Sequence, residues 1–390
     1  MNHVPLRDKA ENTQAAPTIA VDTLMVDAAA ARRRAIHRAA AELRRGTPVL
    51  VTGPAPLIVL AAETSGAAGL REVAALAMGP ALLLLAPSRA ASVLQRPVAT
   101  DVPAIAIRLS TLLVNTEVLR GLADPTAQQL LPEEPVVAET PAGAAAAIAL
   151  TKLARLLPAV VAASPRSDAI AMASEMGLLT VDGEDVLAYP ATMAAGLVRV
   201  AETQVPLEGA PDARIVAFRA PDSGIEHLAI LVGRPDSRSE VLTRIHSECF
   251  TGDLLGSLRC DCGAQLKGAI RRMGEEGAGV LLYLAQEGRG IGLVNKLRAY
   301  AMQDRGLDTL DANRALGWGA DERNFLLAAT MLEELGIGPI RLLTNNPEKI
   351  VALEACGVRV VRRESHSFAP NGVNDQYLAT KAERFGHLLD

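Results

Sequence analysis

The sequence has few aromatic residues, few cysteines and no long apolar run. Four cysteines in 390 residues do not make a disulfide scaffold. No run of eighteen apolar residues is free of charges or of Pro and Gly breaks, so no membrane-spanning segment is predicted. Residues 1–30 carry charged side chains but no apolar core of the secretory type, and we therefore expect a cytoplasmic protein.

Basic residues are also outnumbered, because 39 Lys and Arg stand against 44 Asp and Glu, which gives a net charge of −5. This balance argues against a general nucleic-acid-binding protein. It leaves room for a local basic pocket that binds a phosphorylated small molecule.

Apolar residues are plentiful along the chain, whereas residues with reactive side chains are unevenly distributed. Hydrophobic residues make up 49% and charged residues 21% of the chain, which excludes a disordered protein, and the length favours two domains. Nine of the ten aromatic residues and all four cysteines lie at or after Phe218, whereas the first two hundred residues are rich in Ala, Leu and Val. The chemistry is therefore expected in the second half.

Turn-forming residues divide the sequence into three parts. Residues 1–26 read as a polar leader that we expect to be disordered. Tyr189-Pro190 and the stretch 205–212 interrupt periodic structure, and domains are predicted over 27–197 and 198–390. In both halves apolar runs alternate with amphipathic segments. The expected fold class is α/β (mixed α+β), with a sheet and packed helices in each domain.

The second half is predicted to consist of strand–loop–helix units. A strand over 279–284 runs into a glycine-rich loop, and a helix over 293–304 follows. A second helix is predicted over 321–335, and strands over 340–344 and 357–361. Units of this kind place loop residues at the ends of a sheet, where substrates usually bind.

Three cysteines follow the spacing C-x10-C-x-C, at Cys249, Cys260 and Cys262. Their Asp, Glu, Arg and Gly neighbours are not those of a packed core, so the three thiols predict a metal site. Thiolates suit Zn²⁺, and three protein ligands leave the fourth tetrahedral position for water, as in catalytic zinc sites. A bound Zn²⁺ can lower the pKa of water from about 15.7 to about 7, although three thiolates would make the drop smaller.

Two other interpretations of these thiols stay open at this point. One is a structural zinc with His246 as the fourth ligand, and the other is a redox cluster. Cys356 lies far along the chain beside an apparent strand, and we expect it to be a buried free thiol.

Several cationic residues sit where a phosphate could bind. The loop 287–292 follows a strand, so its N–H groups could hold an anion while Arg289 forks onto a phosphate. Arg244 could add a contact, although a lone arginine is more often a surface charge. Asp321 and Arg323 fall in the predicted first turn of a helix, whose positive end favours phosphate. Spacing alone nevertheless favours ordinary capping by Asp321 and a solvated Arg323.

Taken together, these motifs resemble GTP cyclohydrolase II, in the same order and with compatible gaps. The resemblance covers about residues 198–390. One departure is Ala285, where the family usually has an arginine before the Gln-Glu-Gly-Arg motif. The motifs are Arg244-Ile-His-Ser-Glu-Cys249, Thr251-Gly-Asp253, Ser257-Leu-Arg-Cys-Asp-Cys-Gly263, Gln286-Glu-Gly-Arg-Gly-Ile-Gly-Leu293, Asp321-Glu-Arg323, Leu343-Thr-Asn-Asn-Pro-Glu-Lys349 and Tyr377-Leu-Ala-Thr-Lys-Ala-Glu-Arg-Phe-Gly-His387.

The resemblance implies an enzyme that opens the imidazole ring of GTP, releases formate and pyrophosphate, and leaves a diaminopyrimidine ribosyl phosphate on the way to riboflavin. It implies one Zn²⁺ held by the three cysteines and Mg²⁺ with the triphosphate, and we also expect a homodimer. It implies Asp321 as proton acceptor, Arg323 as nucleophile at the α-phosphorus and Tyr300 as a catalytic residue. The implied GTP-binding residues are Arg244, Ile245, His246, Ser247, Glu248, Gln265, Glu287, Gly288, Arg289, Thr309, Thr344 and Lys349.

The first half resembles, in order and spacing, the 3,4-dihydroxy-2-butanone-4-phosphate synthase domain that precedes the cyclohydrolase in bifunctional members of this family. That enzyme needs an acidic cluster after its first strand to hold Mg²⁺. The corresponding stretch, residues 51–57, has no carboxylate, and residues near 141–144 lack the histidine of its Gly-His-Thr motif. We expect this domain to be inactive and to serve a structural or dimerisation role.

Two alternative functions are carried forward. One is a divergent homologue that acts on another nucleotide, which Ala285 and the unusual first half keep open. The other is a non-catalytic nucleotide-binding regulator or scaffold with a structural zinc. A scaffold would have no need of Asp321, Arg323 and Tyr300 as well as the thiols, which argues against it.

Overall fold

A computed structural model of the chain describes residues 28–236 and 238–389, so the predicted leader over 1–26 lies outside the described residues. The described chain forms two seven-stranded sheets with packed helices, which confirms the mixed α/β class. No helix in this part of the chain is long and apolar enough to cross a membrane.

The first sheet belongs to residues 28–197, which we call the N-terminal unit. Its strand order is β5-β4-β3-β6-β2-β1-β7, with β1 and β7 parallel and the other pairs antiparallel. The elements are α1 (Ala28–Arg45), β1 (Val49–Thr52), β2 (Leu57–Ala61), α2 (Ala67–Leu76), β3 (Leu82–Leu85), α3 (Pro87–Leu94), β4 (Ile105–Arg108), α4 (Thr116–Ala123), β5 (Val136–Ala138), α5 (Ala144–Leu153), β6 (Ala159–Ala163), α6 (Ala169–Glu175), β7 (Thr180–Asp182) and α7 (Gly183–Ala195).

Both faces of this sheet are covered, which explains why its central strands are apolar throughout. Every residue of β2 and β6 is buried. Ile58 and Leu60 belong to the apolar cluster on one face, and Leu57 and Val59 to the cluster on the other. A strand whose alternate side chains enter two cores reads as a continuous hydrophobic run.

The second sheet belongs to residues 198–389, the C-terminal unit, with strand order β14-β13-β11-β12-β10-β9-β8. Strands β11 to β14 are parallel to their neighbours, and β8 to β10 extend the sheet in antiparallel fashion. The elements are β8 (Val198–Gln204), β9 (Arg214–Arg219), β10 (Glu226–Gly233), β11 (Val241–Ser247), a π-helical turn (Phe250–Leu254), α8 (Cys262–Glu276), β12 (Ala278–Leu284), a short 3-10 turn (Glu287–Gly290), α9 (Leu293–Gln303), α10 (Thr309–Ala315), α11 (Leu326–Glu334), β13 (Ile340–Leu343), α12 (Pro347–Ala355), β14 (Val360–Glu364) and α13 (Asp375–Phe385).

Two predicted elements of this unit were wrong in their limits. The helix predicted over 321–335 begins only at Leu326, because the Asp321 carboxylate and Gln286 accept the backbone N–H groups of residues 323 and 324 and keep these residues out of the helix. The strand predicted over 357–361 occupies Val360–Glu364 instead. Gly357 adopts the left-handed conformation (φ 85°) just after α12, and the strand starts beyond this turn.

Tyr189-Pro190 does not interrupt the structure as predicted, because it lies inside α7. Burial of Val186 and Ala194 on either side of Pro190 holds this helix in place despite the missing N–H group. Residues 205–212 join β8 to β9 within the second sheet. The first strand of that sheet begins at Val198.

Helix α9 of the C-terminal unit is held by the N-terminal unit. Its residues Ala299 and Met302 pack into the same apolar cluster as the strands of the first sheet. Arg298 forms ion pairs with Glu63 at 2.8 Å and Asp124 at 2.9 Å, and all three side chains are less than 20% exposed. The N-terminal unit therefore fixes the position of a helix that, as described below, also lines the candidate active site.

We expect Arg298→Ala to lower the free energy of unfolding by about 2–4 kcal/mol, because it leaves two largely buried carboxylates without their cation. Arg166→Ala is the matched control, since the Arg166–Asp168 pair is about half exposed and screened by solvent, and its loss should leave the unfolding midpoint close to that of the wild type. Urea unfolding of both variants measures the difference. Equal midpoints for the two variants would show that the Arg298 pairs do not hold the units together.

Candidate active site

The carboxyl ends of β11, β12 and β13 open into a cavity of about 150 Å³. Its walls bring together residues that lie more than 130 positions apart in the sequence, as expected for adjacent parallel strands. Of the predicted site residues, Ile245 and Asp321 do not line the cavity. Those that do are Arg244, His246, Ser247, Glu248, Cys249, Cys260, Cys262, Gln265, Glu287, Gly288, Arg289, Tyr300, Thr309, Arg323, Thr344 and Lys349.

The three cysteines of the C-x10-C-x-C motif form one cluster at the edge of this cavity. Cys249 follows β11, and Cys262 is the first residue of α8. Their sulfur atoms, with that of Cys260, all lie within 4.8 Å of one another, and Cys249 Sγ is 3.7 Å from Cys260 Sγ. A Cβ atom at Gly252 would stand 2.8 Å from the Cys260 sulfur, so the close approach of the chain requires glycine there.

The thiols share their protons unequally. Hydrogen bonds from Cys260 and Cys262, with the nearby Lys296 ammonium, lower the pKa of Cys249. The hydrogen bond to Cys249 in turn raises the pKa of Cys260 to about 11, and Cys262 is raised as well. The Lys296 ammonium thus offsets the negative charge of one thiolate, and the charges of two more thiolates would require a further cation. This donor set fits a thiolate-bound metal ion such as Zn²⁺.

Lys296 is a central residue of the site that the sequence reasoning missed. Its buried ammonium group donates to Cys249 Sγ at 3.0 Å, Thr251 Oγ1 at 3.1 Å and Glu287 Oε1 at 2.8 Å. Burial opposes the charged form, but Cys249 and Glu287 raise the pKa of Lys296. The sequence contained one indication of this role, namely helical spacing. Lys296 stands four residues before Tyr300 on α9, and this spacing places both residues on the same face of the helix.

His246 does not belong to the thiol cluster among the described residues, which disfavours it as a fourth ligand. Its Nε2 lies 3.1 Å from the Asp253 carboxylate, and that carboxylate also accepts the Cys249 N–H at 2.9 Å and the Tyr283 hydroxyl at 3.0 Å. Burial lowers the pKa of His246. The histidine therefore helps to fix the Asp253 carboxylate, which shapes the turn that carries Cys249.

Six Lys and Arg residues line the cavity, among them Arg244, Arg289, Arg323 and Lys349 from four separate elements. Lys349 is 8% exposed and donates to the Ile245 carbonyl oxygen at 3.0 Å, which is how Ile245 takes part in the site. Burial and the neighbouring guanidinium groups of Arg323 and Arg244 hold the pKa of Lys349 well below its usual range. Cationic side chains this close together repel one another, and a strongly anionic ligand would offset that repulsion. The cluster therefore indicates a binding site for such a ligand.

Arg244 is held by a chain of polar contacts that starts on its strand and ends near the carboxyl terminus. It donates to the Leu343 carbonyl at 2.9 Å and to the Gln265 side-chain oxygen. Gln265 donates to Asp261 at 2.6 Å, and Asp261 accepts from Lys381 at 2.6 Å. Burial lowers the pKa of Arg244 to about 10. These contacts therefore hold Arg244 and Gln265, both of which are predicted to bind GTP, in fixed positions.

Arg289 is presented by an unusual turn. Gly288 and Arg289 both adopt the left-handed conformation, with φ of 63° and 61°, which is strained for an arginine. The Arg289 guanidinium lies 3.9 Å from the centroid of the Phe385 ring. A Cβ at Gly290 would stand 2.7 Å from the Glu322 carbonyl oxygen, so this glycine lets the turn pack against the segment that carries Arg323.

Asp321 and Arg323 contact each other directly, in a segment that precedes α11 and is not helical. The Arg323 Nε lies 2.8 Å from Asp321 Oδ1, and a second nitrogen donates to Oδ2. Although burial opposes it, these bonds hold the pKa of Asp321 below its usual range. The Arg323 side chain is only 8% exposed, so the interpretation of Arg323 as a solvated arginine was wrong.

The remaining walls of the cavity carry Tyr300, which was predicted, and further polar residues that the sequence reasoning did not assign to the site. Tyr300 stands on α9 near Arg259, whose guanidinium lies 5.0 Å from the tyrosine ring centroid, and burial raises the pKa of Tyr300. Gln303 donates to Thr309 Oγ1 at 3.1 Å. The unassigned polar residues lining the cavity include Lys296, Gln303, Asn313, Asn345, Asn346, Tyr377, Lys381 and His387.

Fold and site together define a mixed α/β enzyme with a thiol cluster beside a cation-rich cavity. The chain belongs to the GTP cyclohydrolase II family of hydrolases, which act in riboflavin biosynthesis. The family model described as GTP cyclohydrolase II matches residues 198–365. The chain is 48% identical over 369 residues to the GTP cyclohydrolase-2 of Azospirillum brasilense, covering 92% of this chain and 95% of that protein. It is 50% identical over 194 residues to the GTP cyclohydrolase-2 of Escherichia coli, covering 50% of this chain and 98% of that one.

Solved structures similar to the chain include a two-domain 3,4-dihydroxy-2-butanone 4-phosphate synthase from A. baumannii, at 17% identity and a TM-score of 0.33, covering 84% of this chain and 99% of that one. A cation-free 3,4-dihydroxy-2-butanone 4-phosphate synthase structure matches 40% of this chain and 97% of its own, at 19% identity and a TM-score of 0.32. Likeness at these scores carries no statement about the activity of the N-terminal unit.

Proposed function

We propose that the chain is a zinc-dependent GTP cyclohydrolase II that converts GTP to formate, pyrophosphate and a diaminopyrimidine ribosyl phosphate. The observation that carries this proposal is the meeting of three thiols and six Lys and Arg side chains in one cavity. The thiol cluster supplies a place for a metal ion, and the cations supply a place for a triphosphate. Membership of the GTP cyclohydrolase II family supports the same substrate.

The proposed zinc ligands are Cys249, Cys260 and Cys262. When bound, the ion supplies Lewis acidity that makes water a better nucleophile at neutral pH. Lys296 offsets part of the thiolate charge and holds the Glu287 carboxylate beside the cluster. Glu287 also accepts the Phe250 N–H at 2.7 Å, which ties the glycine-rich turn to the cysteine turn.

The proposed triphosphate site is formed by Arg244, Arg289, Arg323 and Lys349, with Mg²⁺ as a further counter-charge. Binding of the anion should raise the pKa of Lys349 again, because the anion compensates the repulsion from Arg323 and Arg244. We assign the proton-accepting and α-phosphorus roles to Asp321 and Arg323, and a catalytic role to Tyr300.

Formate release from GTP tests the proposal directly. We expect formate and pyrophosphate in equal amounts, in a reaction that a zinc chelator stops. Release of formate from a different nucleotide but not from GTP would favour a divergent homologue, and nucleotide binding without turnover would favour a regulator. A homodimer and a cytoplasmic location remain part of the proposal, and sedimentation of the purified protein measures the former.

The N-terminal unit is expected to have no synthase activity. Strand β1 leads into a stretch of glycine, prolines and alanine before Leu57, which offers no carboxylate to hold Mg²⁺. Incubation with ribulose 5-phosphate and Mg²⁺ should give no dihydroxybutanone phosphate above an enzyme-free control. Turnover above that control would contradict the prediction and show that other residues of this unit carry the chemistry.

A further inference from the structure

A second cavity, of about 610 Å³, lies between the two units, and we call it the interdomain cleft. Helices α1, α5 and α7 form one side of it. The other side is formed by residues 220–227, by the turn 285–290 and by the segment 318–324. The turn and the segment also face the active site. None of the other residues that line the cleft is assigned to GTP cyclohydrolysis.

The cleft has an excess of positive charge. Arg44, Lys152 and Arg155 line it, and the only carboxylate among its lining residues is Glu322, which pairs with Lys152 at 2.5 Å. Arg44 donates to the Ala154 carbonyl at 3.3 Å, and Arg155 donates to the Ala285 carbonyl at 3.1 Å. Burial and the charge of Arg155 lower the pKa of Arg44, as expected of cations that face each other without an acid between them.

The rest of the cleft is mostly apolar and contains a buried donor. Leu153, Val186, Met193 and Leu327 line it, and Leu187 is 52% exposed. Trp318 also lines the cleft and is 3% exposed, and its indole N–H has no hydrogen-bond partner among the described residues. An unsatisfied buried donor is unfavourable, so a small rearrangement that offers it an acceptor from a ligand would be favoured. The chemistry of the cleft thus suits an apolar body with an acceptor and an anionic group.

The cleft and the active site share a thin wall. Glu322, which pairs with Lys152 in the cleft, stands between Asp321 and Arg323 in the chain, and its N–H donates to the Arg289 carbonyl at 3.1 Å. Gln286 and the backbone of residue 324 exchange two hydrogen bonds of 3.0 Å across the same wall. An anion that binds Lys152 would weaken its ion pair with Glu322. It would thereby affect the backbone that carries Arg289 and Arg323, to which Glu322 is joined.

We propose that the interdomain cleft binds an amphipathic organic anion, an apolar or aromatic body with a phosphate, sulfonate or carboxylate group, and that its occupancy lowers GTP turnover. The binding part stands on the cleft alone. The part on turnover rests on the proposed function.

The probe is 8-anilinonaphthalene-1-sulfonate, which has an aromatic body and one anionic group. Fluorescence titration of the full chain should show one saturable site. We expect the affinity to fall at least tenfold in Leu187→Asp, which places a charge on the apolar side, and in the double variant Arg44→Gln/Arg155→Gln. Leu131→Asp is the control, because Leu131 is a 46% exposed leucine that does not line the cleft, and it should bind as the wild type does.

Three results would overturn the binding proposal: no saturable site, equal affinity in all variants, or a probe affinity that keeps falling as GTP is raised. The last result would place the probe in the active site, because coupling between two separate sites lowers the affinity only to a plateau. At a saturating probe concentration we expect formate release to fall at least twofold in the wild type but not in Leu187→Asp. Cleft binding without this fall would overturn the coupling. Failure of the proposed function is separately visible, as absence of formate when no probe is present.

Discussion

Cys260→Ser should lose its bound zinc and release formate from GTP at least about 100-fold more slowly, a larger loss than the 10–100-fold typical of an outer contact. The serine hydroxyl is a poor replacement, because it does not ionise at neutral pH as a metal-bound thiol does. The remaining sulfur atoms of Cys249 and Cys262 would offer only two ligands, too few for the tetrahedral site that Zn²⁺ requires.

Cys356→Ser is the matched control for this experiment. Cys356 is half-buried at the end of α12 and packs against an apolar cluster of the second sheet, not against the other thiols. We expect this variant to keep one zinc per chain and wild-type turnover. Metal content of both purified variants, with formate release measured on the same samples, separates the two sites. Full zinc and full activity in Cys260→Ser would end the metal-site proposal.

The sequence predicted the elements of this fold well wherever apolar pattern alone decides the structure. The strand over 279–284 and the helix over 293–304 match β12 and α9 to within a residue. The helix predicted over 321–335 failed at its start, because the first residues are held by Gln286, 38 positions away in the chain, and by the side chain of Asp321. Periodicity contains no information about such contacts.

The site was predictable to the extent that its residues sit in spaced motifs. The cysteine spacing located the thiol cluster, and the strand–loop–helix pattern located the cationic residues at one edge of the sheet. Lys296 escaped because its role depends on the fold of two other loops, which bring Cys249 and Glu287 to its ammonium group. The contribution of Ile245 through its carbonyl oxygen is likewise invisible in side-chain identity.

The N-terminal unit has a physical role that does not depend on any chemistry of its own. It holds α9 through Arg298 and through apolar packing, and α9 carries Lys296 and Tyr300 into the active site. Arg155 of the same unit binds the Ala285 carbonyl, immediately before the Gln-Glu-Gly-Arg motif. An N-terminal unit without synthase activity, as we propose, would therefore still be needed for the geometry of the cyclohydrolase site.

Arg323→Ala should lower GTP turnover by about 100- to 1000-fold, the range expected when one preorganised group that stabilises transition-state charge is removed. The protein should nevertheless stay folded. Removing Arg323 leaves the partly buried Asp321 carboxylate without its cation, but it also relieves the repulsion from Arg323 that lowers the pKa of Lys349, and the two effects oppose each other. A thermal midpoint close to that of the wild type would separate this loss from unfolding.

Measuring the two products separately distinguishes the roles that Arg323 can play. Guanidinium is a poor nucleophile because its pKa exceeds about 12, and a covalent role at the α-phosphorus needs the adjacent Asp321 carboxylate, which contacts Arg323 Nε at 2.8 Å. If that role holds, Asp321→Asn should lose pyrophosphate release as severely as Arg323→Ala does. If Arg323 only stabilises charge on the α-phosphate, Asp321→Asn should keep most of the activity, because asparagine leaves the cation in place. Wild-type rates of both products in Arg323→Ala would contradict either role and remove this arginine from the mechanism.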